Sequence, residues 1–394
     1  MRILIIGKYP PIQGGVSADN YWTAQLLAEM GHEVHVLTNA DEVESDYRIA
    51  MNENDERKLR GFSKPNSVTL YRTEIDARHV FIPQTNPSVS KLLSLGLEII
   101  ATNRPDFIWA HYLEPYGVVA YLLSTITKVP YVFRHAGSDI GRLMLTEQLA
   151  TLHKETLRNA SLILTNPRHH DRFTAVGVES HRLAKAVPTR MRGDLFFPTE
   201  FSVDDELRLG IYGKMGKSKG TDVLAKALTQ LAHEDFPFAF RSHWGGRHLP
   251  DHGKAFAEAP LAGRVELGGF IPHWRIPDFI RSVHAILFLE HRFSITFHQP
   301  GVPLEVLACG RPVITTEEIA EKPLYRDMLK DGTNAFIVKG DVMPNNIADT
   351  IRRAFTTLRA VPSHLFFPVA QSDVGMRVQM YELLEHISLV TGAK

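Results

Sequence analysis

Glycine and lysine residues are concentrated in one segment of the sequence, GIYGKMGKSKGTDVLAKAL. The segment runs from a predicted strand into a predicted helix, and the connection holds Gly213, Lys214, Gly216, Lys217 and Lys219. Backbone amides at a helix N-terminus and nearby ammonium groups together bind phosphate oxygens. The segment therefore predicts a diphosphate site, and the alternative is a glycine-rich turn with solvated lysines.

The same segment resembles the end of a Walker A P-loop, because Gly216, Lys217 and Ser218 follow a strand. A P-loop requires a glycine five residues before Gly216, where this sequence has Ile211. The missing glycine is the one that lets backbone amides wrap the phosphates. A P-loop NTPase or kinase is therefore the weaker alternative.

An acidic residue, Glu305, lies within the apolar segment GVPLEVLACGRPVITT. The segment predicts a helix that ends near Gly310 and leads into a strand beginning at Pro312. A carboxylate near a loop-to-helix junction can accept hydrogen bonds from two vicinal ribose hydroxyls. The alternative role of Glu305 is a favourable interaction with the helix dipole.

Short apolar strands alternate with helical segments along the whole chain. The predicted strands are RILIIG, HEVHVLT, DFIWAH, PYVFRH, SLILTN and HRLAKAVP, then LRLGIYG, FAFRSHW, RVELGGF, AILFLE, RPVITT and AFIVKG. This alternation indicates parallel sheets, and strands that are apolar throughout indicate sheets covered on both faces. The predicted fold class is α/β, with two Rossmann-like domains facing a central cleft at the carboxyl ends of their strands.

The Pro- and acid-rich stretch FFPTEFSVDDE predicts a linker at about residues 196–206. It separates a predicted N-terminal domain, 1–198, from a C-terminal domain, 206–370. The polar segment at about 40–67 lies between two strands and is expected to be a mobile surface excursion.

Composition narrows the classes of function. Lys and Arg number 44 and Asp and Glu number 44, so the zero net charge gives no case for nucleic acid as a partner. Cys309 is the only cysteine, which excludes disulfides within the chain and fits a reducing compartment. Because no segment approaches the apolar length of a membrane span, a cytoplasmic location is expected. Peripheral membrane contact stays open, since an amphipathic patch need not be long.

Histidines are plentiful, 19 in all, but their pattern does not predict a metal site. The pairs His169 with His170 and His291 with His298 lack a carboxylate at ligand spacing. The chain also contains no Asp-x-Asp sequence, which argues against a metal held by such a pair of carboxylates. We therefore expect no metal and no cofactor.

Four segments, in their order and spacing, carry a family resemblance: PPIQGGVS, HAGSD, GKMGKSKGTDVLAKAL and GVPLEVLACGRPVITT. The chain resembles the family 4 glycosyltransferases of GT-B fold over nearly its whole length. The resemblance implies metal-independent transfer of a sugar from a nucleotide-diphosphate sugar, such as a UDP- or GDP-sugar, with retention of anomeric configuration. The hydroxyl acceptor would be a saccharide, a lipid-linked glycan or a small metabolite. The resemblance also implies that residues 371–394 form a helix that crosses back to the N-terminal domain.

The resemblance assigns site residues in both halves. In the first half, Gly14 and Gly15 form a glycine loop beside the donor diphosphate and the acceptor, and His135 contacts the transferred sugar. In the second half, Lys214 and Lys219 hold the pyrophosphate and stabilise the charge that grows on it.

The remaining donor residues implied by the resemblance are Gly213 in the lysine segment, Gly301, and Glu305 as the ribose ligand. One departure from the family pattern concerns the first of two paired glutamates, which is expected eight residues before Glu305, where the sequence has Phe297. His298, or its neighbour Gln299, replaces it as a reader of the donor sugar if the loop is one residue shorter. The alternative is that this loop only packs, with Phe297 filling space. The departure also leaves open a catalytically silent nucleotide-sugar-binding protein.

Overall fold

The computed structural model describes residues 1–75, 87–142, 144, 146–247, 249–257, 259–295, 298–360 and 373–393. The chain divides into two compact units. The first unit comprises Met1–Glu44, Met51–Arg190 and Asp373–Lys394, and the second comprises Ser45–Ala50 and Met191–Ser372. The division falls earlier than the predicted domain end at residue 198, and the short piece Ser45–Ala50 was not expected in the second unit.

The first unit is built on a parallel sheet of seven strands among the described residues. They are β1 (Arg2–Gly7), β2 (Glu33–Thr38), β3 (Val68–Arg72), β4 (Phe107–His111), β5 (Tyr131–Arg134), β6 (Leu162–Thr165) and β7 (Leu183–Lys185). Their order is β3-β2-β1-β4-β5-β6-β7, so the strand order reverses between β1 and β4. β4, β5 and β6 are buried along their whole length, as expected for strands covered on both faces.

Helices connect these strands. They are α1 (Gly15–Glu29), α2 (Glu53–Lys58), α3 (Ser88–Thr102), α4 (Val118–Thr127), α5 (Gly137–Arg142), α6 (Ala150–Arg158) and α7 (His170–Thr174). Strand, helix and strand in succession give the crossover connections that parallel pairing requires.

The segment at 40–67, which we expected to be a mobile surface excursion, contains short regular elements and long-range contacts. It holds the short turns Ala40–Glu42 and Ser45–Tyr47 and the helix α2, whose N-terminus carries a capping box between Asn52 and Asp55. The hydroxyl of Tyr9 donates to the carbonyl of Leu59 at 3.0 Å. Long-range contacts of this kind fix a segment whose own composition is polar.

The second unit has a six-stranded parallel sheet within the described ranges. The strands are β8 (Leu207–Lys214), β9 (Phe238–Gly245), β10 (Val265–Gly268), β11 (Ala285–Phe288), β12 (Val313–Thr316) and β13 (Ala335–Val338). Their order, β10-β9-β8-β11-β12-β13, reverses between β8 and β11. The helices are α8 (Thr221–His233), α9 (Leu249–Ala257), α10 (Ile276–Arg281), α11 (Val302–Ala308), α12 (Glu317–Ala320) and α13 (Pro344–Ala360).

Apolar cores cover both faces of this second sheet. One contains Leu224 and Leu228 of α8 with Ile347 and Ile351 of α13. The other is formed by side chains of α10 and α11 and includes Cys309. Because both faces of the sheet are covered, a ligand can reach it at the carboxyl ends of its strands. Open α/β folds bind ligands where the strand order reverses, which here is between β8 and β11.

The last helix, α14 (Asp373–Thr391), is part of the first unit. Arg377 on α14 forms an ion pair with Glu29 of α1 at 3.1 Å. The buried positions of α14 are Met376, Met380, Leu383, Leu384 and Ile387. Val374 and Val378 of the same helix are exposed, and residues 371 and 372 of the expected helix lie outside the described part of the chain. No helix of the described residues has the length and apolar character needed to cross a membrane.

Candidate donor site and family

The loop that follows β8 needs glycine at several positions. Gly216 has a φ of 152° and Gly220 a φ of 72°, which are values that other residues rarely adopt. A Cβ atom on Gly220 would lie 2.8 Å from the Cβ of Leu289, so this glycine also permits close packing against the end of β11. Gly213 has a φ of 107°. The Gly216 amide donates to the Thr221 hydroxyl at 3.0 Å, which ties the loop to the first turn of α8.

Lys219 lies in the short helical turn Lys217–Lys219 and forms an ion pair with Glu290, which comes shortly after β11. The Glu290 side chain has no exposed surface, whereas 25% of the Lys219 side chain is exposed. The Lys219 ammonium also lies 4.8 Å from the ring centroid of Phe293. The Lys219 ammonium therefore lies at the strand-order reversal of the second unit, between β8 and β11, and it is paired with a carboxylate.

The backbone around Glu290 is fixed on both sides. The Thr316 hydroxyl donates to the Glu290 carbonyl at 2.7 Å, and the His291 amide donates to the Ser218 carbonyl at 3.0 Å. The Glu290 carboxylate meets Lys219 through Oε2, while its buried Oε1 accepts no hydrogen bond from the described residues.

His298 faces this carboxylate. Its Nε2 lies 3.6 Å from Glu290 Oε1, and its ring packs against Phe293 with the centroids 4.8 Å apart. The loop leading to it is anchored by Glu318, which accepts hydrogen bonds from the Arg292 and Phe293 amides. The structure thus brings His298 and Lys219 to the same carboxylate. Phe297 lies outside the described residues.

Glu305 is buried on α11 and is held by two side chains. Tyr212 donates its hydroxyl to Oε2 at 2.7 Å, and His273 Nε2 lies 3.2 Å from Oε1. Gly301 immediately precedes α11 and adopts helical dihedral angles. Tyr212 lies on β8, two residues before Lys214. Glu305, the expected ribose ligand, therefore lies beside the strand that leads into the lysine loop. The sequence did not indicate Tyr212 or His273.

Lys214 ends β8 and is exposed. Its ammonium lies 5.2 Å from the ring centroid of Tyr47, which belongs to the second unit through the short piece Ser45–Ala50. An ammonium at this distance over an aromatic ring is in the range of a cation–π contact. Lys214 is therefore placed by an aromatic ring, whereas Lys219 is placed by a carboxylate.

In the first unit, the predicted glycine loop leads into α1. Gly14 has a φ of 134° and directly precedes the helix. A Cβ atom on Gly15 would lie 2.7 Å from a terminal nitrogen of Arg190, so the guanidinium lies directly against this glycine. Arg190 is a cation at the loop that the sequence did not indicate.

His135 directly follows β5 in the first unit. Its Nε2 lies 2.7 Å from the Thr165 hydroxyl, and its ring contacts His169 and Phe173 with centroids 5.5 and 5.3 Å away. Burial lowers the pKa of His135 to about 3, with smaller contributions from the positive charges of His169 and Arg134. Burial therefore favours the neutral imidazole form of His135, which can donate and accept hydrogen bonds.

Other polar groups lie at the carboxyl edge of the first sheet. The Lys8 ammonium lies 4.4 Å from the ring centroid of Tyr112, and burial lowers its pKa. Burial also raises the pKa of Asp139 to about 7, although this carboxylate accepts hydrogen bonds from the amides of Leu113, Ala136 and Ile140. Because its oxygens are engaged by backbone amides, Asp139 acts in fixing the loop after β5.

Across the described residues, no group of three or more His, Cys, Asp or Glu side chains is arranged to hold a metal ion. Of the histidines in the two pairs, His169 contacts the ring of His135, and His298 faces the carboxylate of Glu290.

Glu290 is the main site residue that the sequence analysis missed. The signal was present, because a single carboxylate follows the buried strand AILF at the strand-order reversal. A charge at that position faces the place where parallel sheets bind ligands. Its partner Lys219 is 71 residues away in sequence, so the pair itself could not be predicted from spacing.

Two family models match the chain, one in each half. The glycosyl transferase 4-like domain matches residues 14–185, and the glycosyl transferases group 1 model matches residues 206–357. The Bacillus subtilis protein TuaC, assigned as a teichuronic acid biosynthesis glycosyltransferase, is 26% identical over 222 residues. That match covers 54% of this chain and 53% of TuaC, so the chain matches about half the length of this relative.

Several solved structures share the fold. Anabaena HepE in complex with UDP and glucose has a TM-score of 0.63 at 16% identity, covering 97% of this chain and 99% of that one. A glycosyltransferase from Rickettsia africae has a TM-score of 0.63 at 12% identity, covering 99% and 98%. A Listeria monocytogenes protein assigned as a UDP-N-acetylglucosamine 2-epimerase has a TM-score of 0.64 at 13% identity, covering 98% and 95%.

At these identities the likeness to solved structures shows the fold alone, and the fold is common to transferases and an epimerase. The family models are the more specific finding, because one matches the region of each parallel sheet. The expected α/β architecture of two Rossmann-like domains is confirmed. The chain belongs to the family 4 glycosyltransferases of GT-B fold.

Proposed function

We propose that the protein transfers a sugar from a nucleotide-diphosphate sugar to a hydroxyl acceptor, with the donor bound by the second unit. The observation that carries the proposal is the placement of Lys219 at the strand-order reversal, after a glycine loop and before α8. This position suits a diphosphate, since ammonium and helix-end amides both attract phosphate oxygens. Glu305, held by Tyr212 and His273, is the proposed ribose ligand.

The proposed donor is a UDP-sugar, and a GDP-sugar is the second choice. Support comes from HepE, a protein of the same fold that was crystallised with UDP and with glucose. The proposed reader of the donor sugar is His298, whose imidazole can both donate and accept hydrogen bonds. A glutamate at this place would only accept them, so His298 suits a differently substituted sugar.

The proposed reaction retains the anomeric configuration and needs no metal. The leaving phosphate accepts the proton of the acceptor hydroxyl, while Lys214 and Lys219 stabilise the charge that grows on the departing diphosphate. The acceptor is held by the first unit, near Gly14 and Gly15, with the neutral His135 as a hydrogen-bonding contact to the transferred sugar. Its proposed class is a saccharide, a lipid-linked glycan or a small metabolite. A cytoplasmic setting is proposed from the single, buried cysteine.

The test is UDP release from UDP-sugars, and GDP release from GDP-sugars, in the presence of EDTA and a panel of saccharide acceptors. Acceptor-dependent release that Lys219→Ala abolishes supports the proposal. Magnesium-dependent release of phosphate from ATP or GTP would instead indicate the P-loop alternative.

A second candidate is a nucleotide-sugar-binding protein without transferase activity. Two observations favour it: Lys219 is already paired with Glu290, and the sequence has Phe297 at the place of the first glutamate. Nucleotide-sugar binding in calorimetry without release of the nucleotide, for any acceptor in the panel, would support this candidate over the transferase.

A further inference from the structure

Glu290 is a buried carboxylate to which the proposed reaction gives no role. Its two oxygens point to different groups: Oε2 to the Lys219 ammonium, and Oε1 to His298 Nε2 at 3.6 Å. Oε1 is buried and accepts no hydrogen bond from the described residues. The two residues that it joins come from different connections of the sheet, one after β8 and one after β11.

We propose that Glu290 is a positioning residue for the donor reaction. Through Oε2 it holds the Lys219 ammonium, and through Oε1, which faces His298 Nε2 at 3.6 Å, it favours the imidazole tautomer that carries its proton on Nε2. His298 then presents Nδ1 as an acceptor for a hydroxyl of the donor sugar. The inference rests on the proposed function, because it places the donor phosphates at Lys219 and the donor sugar at His298.

The burial of Glu290 argues against a purely structural role. A buried carboxylate is costly unless it is paired, and apolar residues of similar volume often replace buried ion pairs without loss of stability. The Glu290 carbonyl is held by the Thr316 hydroxyl at 2.7 Å, so the carboxylate starts from a fixed backbone. Glu290 therefore places a negative charge at a buried position where packing alone would favour an apolar side chain.

The chemistry of the two neighbours fits this role. The tautomer of a neutral imidazole is set by the partner of one ring nitrogen, and a carboxylate beside Nε2 selects the Nε2–H form. An ammonium has three N–H donors, so a hydrogen bond from Lys219 to Glu290 leaves donors for phosphate oxygens. One carboxylate thus orients both a phosphate ligand and a sugar ligand.

The loop that carries His298 is anchored independently of Glu290. Glu318 accepts the amide hydrogen bonds of Arg292 and Phe293, and the His298 amide donates to the Ile295 carbonyl at 3.1 Å. Replacing Glu290 should therefore change the ring proton of His298 more than the position of its backbone.

The first test is the tautomer of His298, read from long-range proton–nitrogen NMR spectra of the ligand-free, full-length chain. The signals of His298 are identified by their loss in His298→Gln. Wild type should show the Nε2–H form. In Glu290→Gln the amide oxygen stays on the Lys219 ammonium and the NH₂ group turns to His298, so the proton should move to Nδ1. The matched control Glu234→Gln, an exposed partner of Arg352, should keep the wild-type form.

The second test is kinetic, on a UDP-sugar that wild type uses. Glu290→Gln should lower kcat/KM by roughly tenfold or more, the usual effect of losing a charge-assisted contact. In a His298→Ala background the same substitution should cost clearly less, because one of its two routes of action is gone.

The outcomes separate the inference from the proposed function. A wild-type His298 in the Nδ1–H form, or the same tautomer in wild type and Glu290→Gln, would overturn the inference even in an active enzyme. Equal fold-losses for Glu290→Gln with and without His298 would overturn it as well. A wild type that binds and turns over no nucleotide sugar would overturn the proposed function, while the tautomer experiment still decides whether Glu290 fixes His298.

Discussion

The Lys219 ammonium forms an ion pair with the carboxylate of Glu290, a side chain with no exposed surface. Lys219→Ala would leave that carboxylate buried without its cation. We expect the free energy of unfolding to fall by roughly 2 to 4 kcal/mol, somewhat less than for a fully buried pair, because Lys219 is partly exposed. Adding Glu290→Gln should recover most of the loss. Urea unfolding of the three proteins checks this, and a double variant no more stable than Lys219→Ala would contradict it.

The same lysine should matter for turnover. Lys219→Ala removes a charge-assisted contact to the donor diphosphate worth roughly 1.5 to 3 kcal/mol, so kcat/KM should fall tenfold or more. Lys226→Ala, which removes an exposed lysine farther along α8, is the matched control and should retain activity. The Lys219→Ala, Glu290→Gln double variant should regain stability without regaining activity. Unchanged kinetics in Lys219→Ala would show that the donor diphosphate does not bind at Lys219.

Glu305 should contribute to nucleotide affinity. Glu305→Gln keeps the side-chain volume but loses the charge that strengthens hydrogen bonds from ribose hydroxyls, so the Kd for UDP should rise by roughly tenfold. Titration calorimetry measures this directly. Glu266→Gln, which removes an exposed glutamate of β10, should leave the Kd unchanged. Equal affinity in wild type and Glu305→Gln would remove Glu305 from the nucleotide site.

His135 should make stability depend on pH. Its folded-state pKa is about 3, below the ordinary 6.5, so the unfolded chain binds the proton more tightly. Stability attributable to His135 is therefore fully present above about pH 6.5 and is lost as the pH falls towards about 3. His135→Gln should flatten the change in Tm between pH 4 and 6.5, whereas the exposed His181→Gln should not. Identical Tm profiles for His135→Gln and wild type would contradict the assignment.

Cys309 should be unreactive in the folded protein. Burial raises the pKa of its thiol to about 12, and the thiolate is the reactive form. A chromogenic disulfide reagent should therefore label no cysteine in native buffer and one cysteine in denaturant, since the chain contains only Cys309. Rapid labelling in native buffer would show that this part of the second core opens easily.

Much of the fold followed from the apolar pattern of the sequence. All twelve strands that the sequence predicted are present, and most of them are short apolar runs between turns or helices. The strand β3 was not predicted, since it follows a polar segment whose order comes from distant contacts. The Tyr21 hydroxyl, for example, donates to the Lys58 carbonyl across 37 residues of sequence.

The site was predictable only where a short motif carries it. The lysine loop and Glu305 stand in recognisable segments, but Glu290, Tyr212 and His273 join the site through side-chain contacts between distant positions. Such contacts depend on which strands are neighbours in the sheet, and residue spacing does not determine that. The pairing of Lys219 with Glu290 therefore had to come from the structure.

The most direct test of a donor site in the second unit is titration calorimetry of UDP and UDP-sugars in EDTA, with wild type, Lys219→Ala and Glu305→Gln. We predict that UDP and at least one UDP-sugar bind wild type without a metal, and that each substitution weakens both ligands. A wild type that binds no nucleoside diphosphate or nucleotide sugar, GDP compounds included, would contradict the account. So would a nucleotide affinity that neither substitution changes.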